Sequence, residues 1–189
     1  MANDQLKTPG RRRLLSLSRH LVVAGIGAPL IARAMPGTPD GVRSLSLDHT
    51  HTRERIELVY AVDGKYIDPA LVRMNRFLRD HYSGDIGVID PALFDLLYQI
   101  QAALGVDRSF QVISGYRSPI TNERLRSKSS GGVAKRSLHM DGRAIDIRLS
   151  GVALVDLRDA ARSLKLGGVG YYPHDQFVHV DTGRVRNWG

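Results

Sequence analysis

Three side chains in the C-terminal half carry the strongest chemical signal: His139, Asp146 and His179. His139 precedes the turn signal Asp141-Gly142, and Asp146 lies in the run Arg143–Leu149. Alternate side chains of a strand share a face, so Ile145 and Ile147 take one face while Ala144, Asp146 and Arg148 take the other. A carboxylate in such an apolar run is costly to bury unless it is paired or holds a cation. His179, in Phe177-Val178-His179-Val180-Asp181, points opposite to its flanking valines. Two imidazoles and one carboxylate suit zinc and leave a fourth position for water. Such a water supplies hydroxide near neutral pH while the metal polarises a scissile carbonyl. Taken singly, the same residues are open to plainer readings. A histidine between valines is often a satisfied core side chain, and Asp146 could pair with Arg143 or Arg148.

Other residues could contribute chemistry around this trio. Arg117, in Ser114-Gly115-Tyr116-Arg117-Ser118, is either a surface cation or a guanidinium for a substrate carboxylate or developing oxyanion. His174, in Pro173-His174-Asp175-Gln176, is a tunable imidazole or a solvated turn residue. Asp181 shares a strand face with His179, so it is either a proton acceptor or the group that fixes His179. His49-Thr50-His51 offers alternate histidines on one strand face that could bind a metal, without a carboxylate partner of comparable support. Ser114 and Ser137 have no readable Ser-His-Asp arrangement, which leaves serine hydrolysis a weak alternative. With no cysteine in the chain, disulfides, thiolate ligands and cysteine nucleophiles are all excluded.

These side chains need a scaffold, and the pattern predicts a mixed one. Arg43–Leu47 alternates and reads as an edge strand; Glu54–Ala61 is a strand entering a hairpin at Asp63-Gly64. Asp68-Pro69 and Asp90-Pro91 each open a helix, the second stopped by Gly105. Phe110–Ile113 is a short strand, Thr121–Arg126 a short helix, and 127–136 a Ser/Gly/Lys loop. Arg143–Leu149 is a strand and Ala153–Leu164 a helix. Val169–Tyr172 and Phe177–Asp181 form a hairpin. Strands and helices mix without regular βαβ alternation, so the expected fold is α+β, one domain with a mostly antiparallel central sheet flanked by helices.

The first residues read as targeting rather than fold. Arg11-Arg12-Arg13, the apolar run Leu21–Ile31 and Ala32-Arg33-Ala34 are the three parts of an export signal, of twin-arginine type. The expected division is 1–34 export signal, 35–42 linker and 43–189 domain. Six basic residues against Asp4 give the first segment +5 of the chain's net +8, leaving +3 for the rest. The high pI therefore gives no ground for nucleic-acid binding, and no basic stripe with interleaved aromatics is present. Mild positive charge suits an anionic envelope polymer.

Ser-x-His-x6-Asp followed by a distal Val-His resembles the zinc D-Ala-D-Ala metallopeptidase family, which shares its fold with the Hedgehog signalling domain. Ser114–Ser118, the His139/Asp146 segment, Gly168–Pro173 and Phe177–Gly183 resemble its murein endopeptidase branch, over residues 43–189. The resemblance implies a zinc site at His139, Asp146 and His179, Arg117 near the substrate, and hydrolysis of peptide cross-links in peptidoglycan in the periplasm. It also implies a catalytic role for His174, which matches a histidine of some members. One departure stands out: where many members carry Glu or Asp three residues before the last ligand, this chain has Gln176. A non-catalytic zinc- or wall-binding module of the same fold is the alternative.

Overall fold

The structure is a computed structural model and describes residues 41–128 and 133–189. The export segment 1–34 and most of the 35–42 linker lie outside the described residues, as does the middle of the 127–136 loop. Twelve elements are described: β1 (Val42–His49), β2 (Arg55–Val62), β3 (Lys65–Tyr66), α1 (Asp68–Phe77), α2 (Pro91–Leu104), β4 (Phe110–Ser114), α3 (Pro119–Lys128), β5 (Ala144–Leu149), α4 (Leu154–Leu164), β6 (Gly168–Tyr172), β7 (Phe177–Asp181) and β8 (Arg186–Trp188). The fold is α+β.

Local signals explain the helices. Asp90 caps α2 by accepting from the Ala92 amide at 3.0 Å, with Pro91 in the first turn where its missing N–H costs nothing. Gly105 ends α2 in the left-handed region at φ 63°. In α1 the capping position falls on Ile67, without a side-chain bond. Asp68 therefore sits inside the first turn, where its charge favours the helix dipole. α4 presents Leu157 and Ala161 to the core.

The eight strands form one sheet in the order β3-β2-β1-β4-β5-β7-β6-β8. All pairs are antiparallel except β1–β4 and β6–β8. One face carries the in-register row Val112, Ile147, Val178 and packs with Met74 and Phe77 of α1, Leu93 and Leu97 of α2 and Leu157 of α4 into a single core. β1 is not the expected edge strand. It runs on to His49, buries Leu45 and Leu47, and lies between β2 and β4. A strand's own alternation shows which face is buried but not which neighbours it has. The edges are β3 and β8, and β8 is an element the sequence pattern did not announce.

No helix among the described residues is long and apolar enough to cross a membrane.

Candidate metal centre

The face of the sheet away from the helices carries a second row. Ser114 of β4 pairs with Asp146 of β5, Asp146 with His179 of β7, and His179 with Gly170 of β6. A register irregularity between Val112 and Ser114 brings Ser114 opposite Asp146. His139 reaches this row from the turn before β5. Bonds from Met140 N to Ser137 O (3.0 Å) and Arg143 N to Leu138 O (2.9 Å) fold that turn back over the strand.

The three side chains converge on one point. His179 Nδ1 lies 2.8 Å from Asp146 Oδ1, His139 Nε2 lies 3.3 Å from the same oxygen, and the two ring nitrogens are 3.2 Å apart. Tetrahedral bonds of ~2.0–2.1 Å place neighbouring donors about 3.3 Å apart; the 3.2 and 3.3 Å edges match that spacing, and the 2.8 Å edge is a hydrogen-bond length. Among the described residues it is the one His/Asp/Glu cluster with such convergence.

Each imidazole is aimed by a partner on its other nitrogen. His139 Nδ1 faces the Gly115 carbonyl at 2.7 Å; donation there leaves Nε2 free as a ligand. His179 Nε2 faces Asp181 Oδ2 at 3.2 Å, which leaves Nδ1 free. Asp181 is fully buried and heavily engaged. It accepts from Gly168 N (3.1 Å), Gly183 N (2.8 Å) and the Arg186 guanidinium (2.7 and 3.1 Å).

The charges follow from these contacts. Burial works against ionised Asp146, but the imidazoles of His139 and His179 outweigh it and hold the carboxyl well below the usual range. Burial lowers His139 and keeps it neutral. For His179, burial is overridden by hydrogen bonds to Asp146 and Asp181, which hold it up at about 9. The metal-free chain therefore carries a proton on His179 that an incoming cation must displace.

Arg117 stands beside the triangle, its Nη2 at 3.6 Å from Asp146 Oδ2 and 3.3 Å from Ser114 Oγ. Its loop is pinned at several points. Arg117 N donates to His139 O (3.2 Å), Tyr116 N to Leu78 O (2.8 Å) and Ser118 N to buried Asp80 (2.9 Å). Burial pushes Asp80 up, yet hydrogen bonds from Thr121, Ser118 and the Tyr82 amide hold it at about 2, so it stays anionic.

The trio forms one side of an open cleft of about 420 Å³. Arg117, Arg136 and Arg186 bring positive charge to its walls; Tyr172, Phe177 and Trp188 bring aromatic surface. His174 stands fully exposed at the tip of the β6–β7 hairpin, its ring 3.6 Å from the Asp175 carboxylate. Asp175 lines the cleft, and Gln176 turns its amide to the Pro173 carbonyl. Arg143 binds Thr182, and Arg148 binds Gln111, so neither is the partner of Asp146. His49 and His51 do not share a strand face, because β1 ends at His49 and His51 lies in the following turn. Sequence reasoning missed the Gly115 carbonyl, Asp80, Asp175 and Arg186. The first is a backbone group with no sequence signature, and the others acquire roles through tertiary contact alone.

A sheet that brings two imidazoles and a carboxylate to one point in an open cationic cleft defines a hydrolase of the metallopeptidase kind. Residues 38–188 match the family described as Peptidoglycan L,D-endopeptidase MepK. Peptidoglycan L,D-endopeptidase MepK of Escherichia coli (strain K12) is 46% identical over 178 residues, covering 94% of this chain and 96% of the relative. The probable peptidoglycan L,D-endopeptidase MepK of Haemophilus influenzae is 39% identical over 180 residues, covering 94% and 95%. The chain belongs to this MepK family.

Proposed function

We propose that the chain is a zinc-dependent peptidoglycan L,D-endopeptidase that hydrolyses peptide cross-links outside the cytoplasm. The observation that carries this reading is the donor triangle of 2.8–3.3 Å edges opening on the cleft. His139, Asp146 and His179 hold the metal. A zinc ion held there would supply Lewis acidity for hydrolysis of the scissile amide near neutral pH. Arg117 binds a substrate carboxylate or the oxyanion that develops at the carbonyl. Asp181 orients His179, since its oxygens are committed to His179, Arg186 and two amides. Asp175, the one carboxylate besides Asp146 among the cleft-lining residues, with His174 as its neighbour at the hairpin tip, would be the group available to take up a proton.

The arginine run at 11–13 and the small-residue site at 32–34 support export through the twin-arginine route to the periplasm, where the polymer lies. The test is release of products from cross-linked muropeptides by the purified full-length chain. Chelation should stop release and added zinc restore it. Stoichiometric zinc without any release would support the binding-module reading instead.

A further inference from the structure

The C-terminal strand reaches the centre over two positions of β6 that lack side chains. In register across the sheet, His179 of β7 faces Gly170 of β6, which faces Trp188 of β8. One row along, Asp181 faces Gly168, which faces Arg186. Directly opposed residues belong to adjacent strands, so β8 side chains would normally be screened from β7 by whatever β6 carries between them. Here nothing intervenes. The Trp188 ring leans across Gly170 to lie 5.3 Å from the His179 ring, and its Nε1 donates to Tyr172 Oη at 2.8 Å. The Arg186 guanidinium crosses Gly168 to grip Asp181, and stacks on Trp188 with its centre 4.8 Å from the ring. A Cβ on Gly170 would come within 2.6 Å of Trp188 Cε2, and one on Gly168 would run into both Asp181 and Arg186.

We propose that β8 is a clasp on the metal centre: through the empty pleats at Gly168 and Gly170, Arg186 and Trp188 act as positioning residues that fix His179 in its ligating orientation. The clasp rests on the metal-centre reading above and deepens it. Asp181 sets which nitrogen of His179 is free, Arg186 fixes Asp181, and Trp188 blocks rotation of the imidazole from the other side. Losing an outer partner of a ligating histidine typically weakens metal binding roughly 10–100-fold.

The test is zinc affinity of the full-length chain by competition with a chromophoric chelator, alongside the visible spectrum of the cobalt(II) form and thermal unfolding. Arg186→Gln should weaken zinc binding roughly 10–100-fold, and Arg186→Lys should recover most of it by keeping a cation on Asp181. Trp188→Phe should distort the cobalt spectrum with a smaller loss of affinity. The chain has one tryptophan, so its fluorescence reports on this contact directly. It should respond to zinc in the wild type and lose that response in Gly170→Ala. If Arg186→Gln and Gly170→Ala bind zinc within twofold of wild type, with an unchanged cobalt spectrum and a zinc-responsive tryptophan, the clasp is wrong, even if both melt earlier. Failure of the wild type to take up one zinc per chain would instead sink the metal-centre reading, and the clasp with it.

Discussion

Among the described residues two groups of histidines stand close together, and only one converges on a point that could hold a metal. In the first, His139 and His179 share a carboxylate, each ring has a partner on its outer nitrogen, and the remaining nitrogens converge. In the second, His49 packs 5.6 Å from His81 and 6.1 Å from His51, while His51 and His81 stack face to face at 4.2 Å. Glu54 acts on His49 and Asp80 on His81, but among the described residues these carboxylates and rings do not converge on one point. His49 Nδ1 already accepts from the His51 and Thr52 amides, at 3.2 and 3.5 Å. The neutral ring then carries its proton on Nε2, which points at no acceptor, as Nε2 of His81 also lacks a partner. Parallel stacked rings cannot aim lone pairs at a common centre. What makes a metal site is the carboxylate and the outer partners that fix each tautomer, more than the number of imidazoles.

The same difference fixes opposite charge behaviour. His179 is held up at about 9, against burial, by the hydrogen bonds it donates to two carboxylates. His49 and His81 are pushed down to about 4, first by burial and then by neighbouring histidines. Arg117 faces both clusters and adds to the depression of His81 and of His139.

Four experiments sharpen or break the contrast. The largest effect is expected at Arg117, proposed above to bind a substrate carboxylate or the developing oxyanion beside the first cluster. Arg117→Gln should lower kcat roughly 10²–10³-fold while the chain still takes up zinc; steady-state kinetics with metal analysis checks both halves. Next, Asp181→Asn leaves the three donors in place but weakens the aim of His179. Zinc affinity should fall roughly 10–100-fold, read by chelator competition.

A smaller effect concerns stability of the metal-free chain against pH. The His179 proton stabilises the fold fully below about 6.5, and that contribution drains away as pH rises toward 9. Neutral burial of His49 and His81 contributes fully above 6.5 and is lost as pH falls from there to about 4. Urea midpoints should therefore decline on both sides of pH 6.5. His49→Gln should flatten the acid limb by roughly 1–2 kcal/mol, and His179→Gln should flatten the alkaline one. A single-limbed profile would show that the two clusters do not differ as argued. Smallest of all, exposed His51→Ala should change stability by no more than about 0.5 kcal/mol and leave zinc affinity untouched.

The sequence made the first cluster legible because its residues sit at strand positions whose alternation is strong. Ile145 and Ile147 around Asp146, and Val178 and Val180 around His179, fix which way each polar group points. His49 and His51, expected on one strand face as a candidate metal pair, part because β1 ends at His49 and the chain turns at Thr50, and no pattern marks where a strand stops. The helices were readable from Asp90, Pro91 and Gly105, whose roles are local. β8 was not, since Arg186-Asn187-Trp188 is too short to show a period and owes its pairing to β6. For the same reason Trp188 gave no sign in the sequence of its contact with His179. The parallel pairing of β1 with β4, between strands far apart in sequence, likewise left no trace in either segment.

The most direct test is zinc stoichiometry with X-ray absorption of the bound metal. It would compare the wild-type full-length chain, Asp146→Asn, and a variant carrying Gln at 49, 51 and 81. The account predicts one zinc per chain with two imidazole donors in the wild type and the triple variant alike, and loss of that zinc in Asp146→Asn. Zinc that survives Asp146→Asn but disappears from the triple variant would contradict it.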